Sequence, residues 1–330
     1  MIITAETRLL GLIGWPVAHS LSPAMHNAAA AALKLDVAYV PLAVMPGRIE
    51  DALRGLAALG FLGANVTVPH KQAVMPYLET IDPAARAIGA VNTILVENNP
   101  DRQTRRLQGF TAEDTEGAEE GKGGRGWSIK RRSARSAVPE SNESLIPGLQ
   151  GFNTDWSGFL ADLQAQGTRV EDRACLVLGA GGSARAVVYA LAREGGRVTV
   201  YARRPAQAQR LVSDLQGHLE AALLRPAPWT ALAEAREVGA PLIVNTTPVG
   251  MHPYEDASPW PRELPLPPKA DIYDVIYNPE ETQLMRRARA EGCRAYNGLG
   301  MLLQQGALAF EIWTGMKPAL EVMATAVREQ

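Results

Sequence analysis

Residues 175–188 read CLVLGAGGSARAVV. Cys175, Leu176, Val177 and Leu178 form an apolar run with the character of a buried parallel strand. Glycines at 179, 181 and 182 follow as a tight turn, and an alanine-rich helix begins near Ser183. Gly179, Gly181 and Ala184 match the G-x-G-x-x-G/A spacing of a dinucleotide-binding turn. There the first glycine makes the turn, the second lets a pyrophosphate approach the backbone, and the small third residue lets helix pack on strand. Ala180 and Ser183 complete the loop, and the helix N-terminus offers unpaired N–H groups to phosphate. A second strand is expected over 197–201, at the distance a βαβ unit requires.

The end of that second strand speaks to the choice of cofactor. An NAD site places an acid there for the ribose 2′-hydroxyl. This chain has Ala202-Arg203-Arg204 instead, two guanidiniums that suit a 2′-phosphate. NADP(H) is the expected cofactor.

Working outward, 330 residues suggest two domains with ample cores. A net charge of −2, with 46% apolar and 21% charged residues, points to neither nucleic acid nor an anionic membrane as partner. The cysteines, Cys175 and Cys293, form no metal spacing, and no metal is expected. A start of MIITAETRLL has no signal-peptide character, and no apolar run is long enough to span a bilayer. A cytoplasmic protein, monomer or homodimer, is the expectation.

In the N-terminal half, strands are expected over 9–13 and 37–41, and helices over 23–34 and 46–59. Ser22 reads as the N-cap of the first helix, with Pro23 as its first residue. Ser20 is not needed for that cap, so two hydroxyls beside a helix start make a small anion site for a carboxylate. After NVTVP (65–69), Pro69 is expected to open a helix running to about residue 78. Lys71 then lies in its first turn, where the dipole eases loss of its proton. A strand over 89–94 carries an exposed amide at Asn92, and Asp155 reads as the N-cap of a helix over 156–164. Residues 99–147 are poor in large apolar groups and read as a weakly ordered insertion, flanked by two copies of LQGF at 107–110 and 149–152. Its basic patch, 130–135, reads as a solvated charge run. Strands over 242–245 and 272–276 continue the C-terminal sheet, and a long helix over 298–313 carries Gln305.

Taken together, SLSP (20–23) with His26 and Asn27, NVTVPHK (65–71), GAVNT (89–93), GFNTD (151–155), the glycine turn, NTTPVGM (245–251), DVIYNP (274–279) and Gly298 with MLLQQ (301–305) resemble the shikimate dehydrogenase family. The likeness covers nearly the whole chain outside the insertion. It implies an α/β protein: an N-terminal, mainly parallel αβα substrate domain (1–156), a C-terminal Rossmann NADP-binding domain (157–297), and helices over 298–330 returning to the first, with a cleft between. It implies reversible, NADPH-dependent reduction of 3-dehydroshikimate to shikimate. Lys71 and Asp155 become the catalytic pair, and Ser20 and Ser22 hold the substrate carboxylate. Thr67, Asn92, Asp155 and Gln305 bond the ring hydroxyls, and Tyr277 reaches in from the cofactor side. Thr247, Met251, Gly298 and Met301 lie near the nicotinamide, and Arg203 answers the 2′-phosphate. The family often carries Asn-Arg-Thr where this chain has Ala202-Arg203-Arg204. Alternatives are a quinate/shikimate enzyme of wider range and a non-catalytic sensor of a ring acid and nucleotide.

Overall fold

The computed structural model describes residues 2–97, 144–220, 223–237 and 239–330. In chain order these form β1 (Arg8–Gly14), α1 (Ser22–Ala32), β2 (Val37–Ala43), α2 (Ile49–Ala58), β3 (Gly63–Val66), β4 (Leu78–Ile81), α3 (Pro83–Ile88), β5 (Thr93–Val96) and β6 (Ile146–Phe152). Then come α4 (Asp155–Ala165), β7 (Ala174–Leu178), α5 (Gly182–Arg193), β8 (Arg197–Ala202), α6 (Pro205–Gln216), β9 (Leu224–Pro228) and β10 (Leu242–Asn245). β11 (Asp271–Asp274), α7 (Gln283–Ala290), β12 (Arg294–Tyr296), α8 (Leu299–Thr314) and α9 (Leu320–Arg328) complete the chain.

Two six-stranded sheets result, in the orders β2-β1-β3-β5-β6-β4 and β12-β11-β10-β7-β8-β9. The second is parallel throughout. Its order reverses beside β7, so the glycine turn opens at the switch point where such sheets bind ligands. Cys175, Leu176, Val177 and Leu178 are all buried, as a strand covered on both faces must be. In the first sheet β5 alone runs antiparallel to both its neighbours. That reversal carries the chain back across the sheet between β3 and β6.

α8 and α9 pack on the first sheet. Phe310, Trp313, Met323 and Val327 share a buried cluster with Leu10, Leu12 and Met25, and the Trp313 indole donates to Ile94 O at 2.9 Å. Gly63 permits that approach, because a Cβ there would lie 2.4 Å from Trp313 Nε1. Among the described residues no helix is long and apolar enough to cross a membrane.

Several local expectations need correction. Residues 69–78 do not form a helix; His70 N bonds Thr67 O, Val74 N bonds His70 O, and a short 3-10 turn spans Met75–Tyr77. A hydrogen bond between His70 Nε2 and Val44 O (2.7 Å) ties this run of turns to the end of β2. The helix-dipole argument for Lys71 therefore does not apply. The helix expected over 46–59 is shorter, Ile49–Ala58. Ile146 and Pro147, at the end of the expected insertion, already belong to β6. Residues 98–143 lie outside the described residues, and with them the first LQGF copy and the basic patch.

Candidate active site

Sheet direction brings the polar residues together. β3 and β6 end at the same edge at which the antiparallel β5 begins. Thr67 and Lys71 follow β3, Asn92 precedes β5, and residues 153–155 follow β6. Three distant segments thus converge on one rim, between the first sheet and the glycine turn of the second.

Lys71 Nζ lies 2.6 Å from Asp155 Oδ2, with both side chains largely buried. Asn92, buried rather than exposed, donates through Nδ2 to Asp155 Oδ1 (2.8 Å), Thr154 Oγ1 (3.0 Å) and Gln305 Oε1 (3.3 Å). The strand expected over 89–94 begins only at Thr93, and Asn92, just before it, is buried because Thr154, Asp155 and Gln305 close around its amide. Its Oδ1 in turn accepts from Thr154 N at 2.7 Å. Asp155 is not the N-cap; it is the first residue of α4, where the dipole favours a carboxylate. Asn153 supplies the capping oxygen instead, accepting from Asp155 N (3.1 Å) and Trp156 N (3.4 Å). That leaves both Asp155 oxygens for Lys71 and Asn92. Gln305 reaches the cluster because α8 crosses α4 at Gly158, where a Cβ would meet Gln305 N at 2.7 Å.

The opposite end holds the serines. Ser22 is the first helical residue of α1 rather than its cap, and Ser20 Oγ accepts from Ser22 N (3.2 Å), so Ser20 does assist the helix start. Ser22 lies against the phenol of Tyr39 on β2. That phenol donates to Asn65 Oδ1 at 2.8 Å, and Asn65 Nδ2 donates to Asn92 O and Thr93 Oγ1, both at 3.2 Å. Tyr39, Asn65, Thr93 and Thr154 thus join the serine end to the lysine end. Sequence reasoning gave none of the four a role, and Tyr39 had only one signal, a lone hydroxyl in an apolar strand. Asn27 fixes that strand by bonding the Tyr39 backbone twice, at 2.8 and 2.9 Å. Burial raises the Tyr39 pKa well above its usual value; Ser22 opposes this, and Tyr277 adds to it. Tyr277 follows β11 and is half-buried, its own pKa raised by burial. Thr67 packs beside β1, where a Cβ on Gly14 would meet its Cγ2 at 2.3 Å.

Across the cleft, Gly179 takes a φ of +113°, and a Cβ there would lie 2.6 Å from Thr246 Oγ1. Nothing stands within 4 Å of a Cβ built on Gly181, which is the open cradle a pyrophosphate needs at the start of α5. Ala180 and Ser183 are half-buried around it, and Ala184 is fully buried under the sheet. A Cβ on Gly182 would stand 3.5 Å from Lys71 Cδ, so the lysine stem crosses the cleft to the glycine turn. Arg203 and Arg204 follow buried Ala202 at the end of β8, exposed beside the turn. Gly179 N bonds Tyr201 O there (2.8 Å).

Thr247 is held by Asn245, whose Oδ1 accepts from its N (2.9 Å) and Oγ1 (2.7 Å). Met251 is exposed and Met301 is buried in α8. Gly298 abuts the residue just past β11, where a Cβ would run into Val275 O. The residues present therefore fit a bound dinucleotide phosphate, with an ammonium–carboxylate pair facing the place where the cofactor would lie. Such a site can deliver a proton and positive charge to an oxygen whose carbon receives hydride.

Two family models match the chain: the shikimate dehydrogenase substrate binding domain over residues 12–94 and the shikimate 5′-dehydrogenase C-terminal domain over residues 298–328. A curated relative from Moorella thermoacetica, named shikimate dehydrogenase (NADP(+)), is 40% identical over 99% of this chain and 95% of its own. A crystal structure of shikimate 5-dehydrogenase from Thermus thermophilus, in complex with NADP(H) and shikimate, is 35% identical with a TM-score of 0.73. The match covers 98% of this chain and 99% of that one. Quinate dehydrogenase from Corynebacterium glutamicum, in complex with NAD, is 25% identical with a TM-score of 0.77, covering 98% of this chain and 99% of its own.

Proposed function

The chain belongs to the shikimate dehydrogenase family, and from that premise we propose how its residues carry out the NADP-dependent, reversible reduction of 3-dehydroshikimate to shikimate. The contact between Lys71 and Asp155 carries this reading. NADPH supplies the hydride when bound; the protein supplies position, a proton and a field.

Ser20 and Ser22 receive the ring carboxylate. Thr67, Asn92, Asp155 and Gln305 bond the ring hydroxyls and orient the ring with its carbonyl at Lys71. As negative charge grows on the carbonyl oxygen, Lys71 Nζ stabilises it and gives up a proton, and the reverse direction returns it. Asp155 holds the ammonium in place and bonds the adjacent hydroxyl. Tyr277 closes over the ring from the cofactor side. Gly179, Ala180, Gly181, Gly182 and Ser183 cradle the pyrophosphate, while Arg203 and Arg204 grip the 2′-phosphate beside Ala202. Thr247, Met251, Gly298 and Met301 line the nicotinamide end. An NAD-dependent quinate enzyme is disfavoured by the lack of an acid at residues 202–204.

Replacing Lys71 by Ala tests the assignment. The expected result is a fall in kcat of about two orders of magnitude or more, with NADPH still bound. Near wild-type turnover would remove Lys71 from the mechanism.

A further inference from the structure

Arg185, on α5, takes no part in the mechanism above, yet it is buried where the two sheets' helices meet. Its Nε donates to Ile88 O, and its Nη2 donates to Asp214 Oδ2 at 2.9 Å. Ile88 is the last residue of α3, so its carbonyl is one of those a helix end leaves without an internal partner. Asp214 lies on α6 and is more than half exposed, whereas the Arg185 side chain is only 8% exposed. The guanidinium therefore bridges a helix of the first sheet to two helices of the second.

The residues just beyond Ile88 tie this bridge to the catalytic rim. Gly89 has a φ of +69°, and a Cβ there would lie 2.7 Å from Arg185 Nη2. Two residues on, Val91 N donates to Lys71 O at 2.8 Å, and Asn92 N donates to Phe152 O at 3.0 Å. Ala87, Ile88 and Ala90 share a buried cluster with Ala184, Val187 and Val188 of α5. The helix that opens at the dinucleotide turn is thus joined to Lys71 twice. Gly182 approaches its side chain, and Arg185 reaches its backbone through Ile88 and Val91.

We propose that Arg185 is a positioning residue: it sets the cofactor helix against the segment carrying Asn92 and Lys71, and so fixes the distance between hydride donor and proton donor. Each ligand meets one side of the cleft, whereas the reaction needs both sides in register. A misplacement of about 1 Å at such a site can cost on the order of a hundredfold in rate. Only a planar fork bridges both partners from a single side chain, so lysine is not equivalent here. The inference rests on the shikimate dehydrogenase reading given above.

The test replaces Arg185 by Met, which keeps the stem and removes the fork, and by Lys. Binary affinities for NADPH and for shikimate are measured separately by fluorescence titration, alongside kcat and its isotope effect with NADPH deuterated at the transferred position. For Arg185→Met the expected result is binary affinities within about threefold of wild type, kcat down about tenfold or more, and a larger isotope effect. Arg185→Lys should fall between. A folded Arg185→Met enzyme with undiminished kcat overturns the proposal. So does a kcat loss matched by an equal loss of NADPH affinity, since that marks a cofactor contact instead. Should Arg185→Met fail to fold, Asp214→Asn at the exposed end is expected to lower kcat several-fold with both affinities kept; wild-type kcat there also overturns it. If wild-type protein does not oxidise shikimate with NADP+, the functional reading itself has failed; wild-type turnover with an unimpaired Arg185→Met variant removes this inference alone.

Discussion

His26 makes a sharp test of how this structure responds to acid. Its ring is buried, its two nitrogens have no hydrogen-bond partner among the described residues, and it stacks on Tyr39 with centroids 4.4 Å apart. Burial pushes its pKa down to about 3, against a smaller opposing pull from Asn65. In the unfolded chain the same imidazole takes a proton near pH 6.5. Between those values the unfolded state binds more protons than the native one, so stability falls as pH falls. Each pH unit inside the window removes about 1.4 kcal/mol, so about 2 kcal/mol is gone by pH 5 relative to neutrality. Replacing His26 by Phe abolishes this component. Phe can keep the stack on Tyr39, and any packing cost is the same at every pH. Urea unfolding of both proteins from pH 8 to pH 5 should therefore show the gap between them shifting by about 2 kcal/mol in the variant's favour. A gap constant across that range would refute the reasoning, because it would mean that His26 titrates alike in both states.

Replacing Arg203 and Arg204 together by Leu should raise KM for NADPH roughly ten- to a hundredfold and leave KM for NADH little changed, as loss of charge-assisted phosphate contacts requires. Steady-state kinetics with both cofactors decides it. Gly63→Ala would drive a Cβ to 2.2 Å from Ile94 O and 2.4 Å from Trp313 Nε1, into the indole hydrogen bond that seats α8. A loss of about 3 kcal/mol in unfolding free energy is expected, read by denaturant titration.

The parts of the chain that were legible as sequence are those whose physics is local. An apolar run that meets glycines and then alanines can make little but strand, turn and helix. Arg203 and Arg204 in place of an acid put positive charge beside that turn, which their own chemistry makes plain. Local reading failed at residues 69–78, where a proline resembled a helix start. The chain makes turns there, and His70 Nε2 bonds Val44 O just past the end of β2, a long-range contact invisible to local patterning. It failed again at Asn92 and Asp155, because burial and capping were decided by neighbours that local patterning does not record. Asn92 sits just before a central strand with Thr154, Asp155 and Gln305 around it, and the Asn153 side chain, not that of Asp155, accepts from the first N–H groups of α4.

The sequence by itself determined the strand–turn–helix unit, the glycine-opened helix start and the kinds of side chain available for proton and phosphate chemistry. Only the tertiary structure decided that Lys71 and Asp155, 84 positions apart, stand 2.6 Å from each other. Only it joined Ser22 to Lys71 through Tyr39, Asn65 and Asn92, and set Arg185 between the two sheets. The reason is sheet direction. Because β5 runs against β3 and β6, the end of two strands and the start of the third share one edge, and no periodicity along the chain records which strands become neighbours.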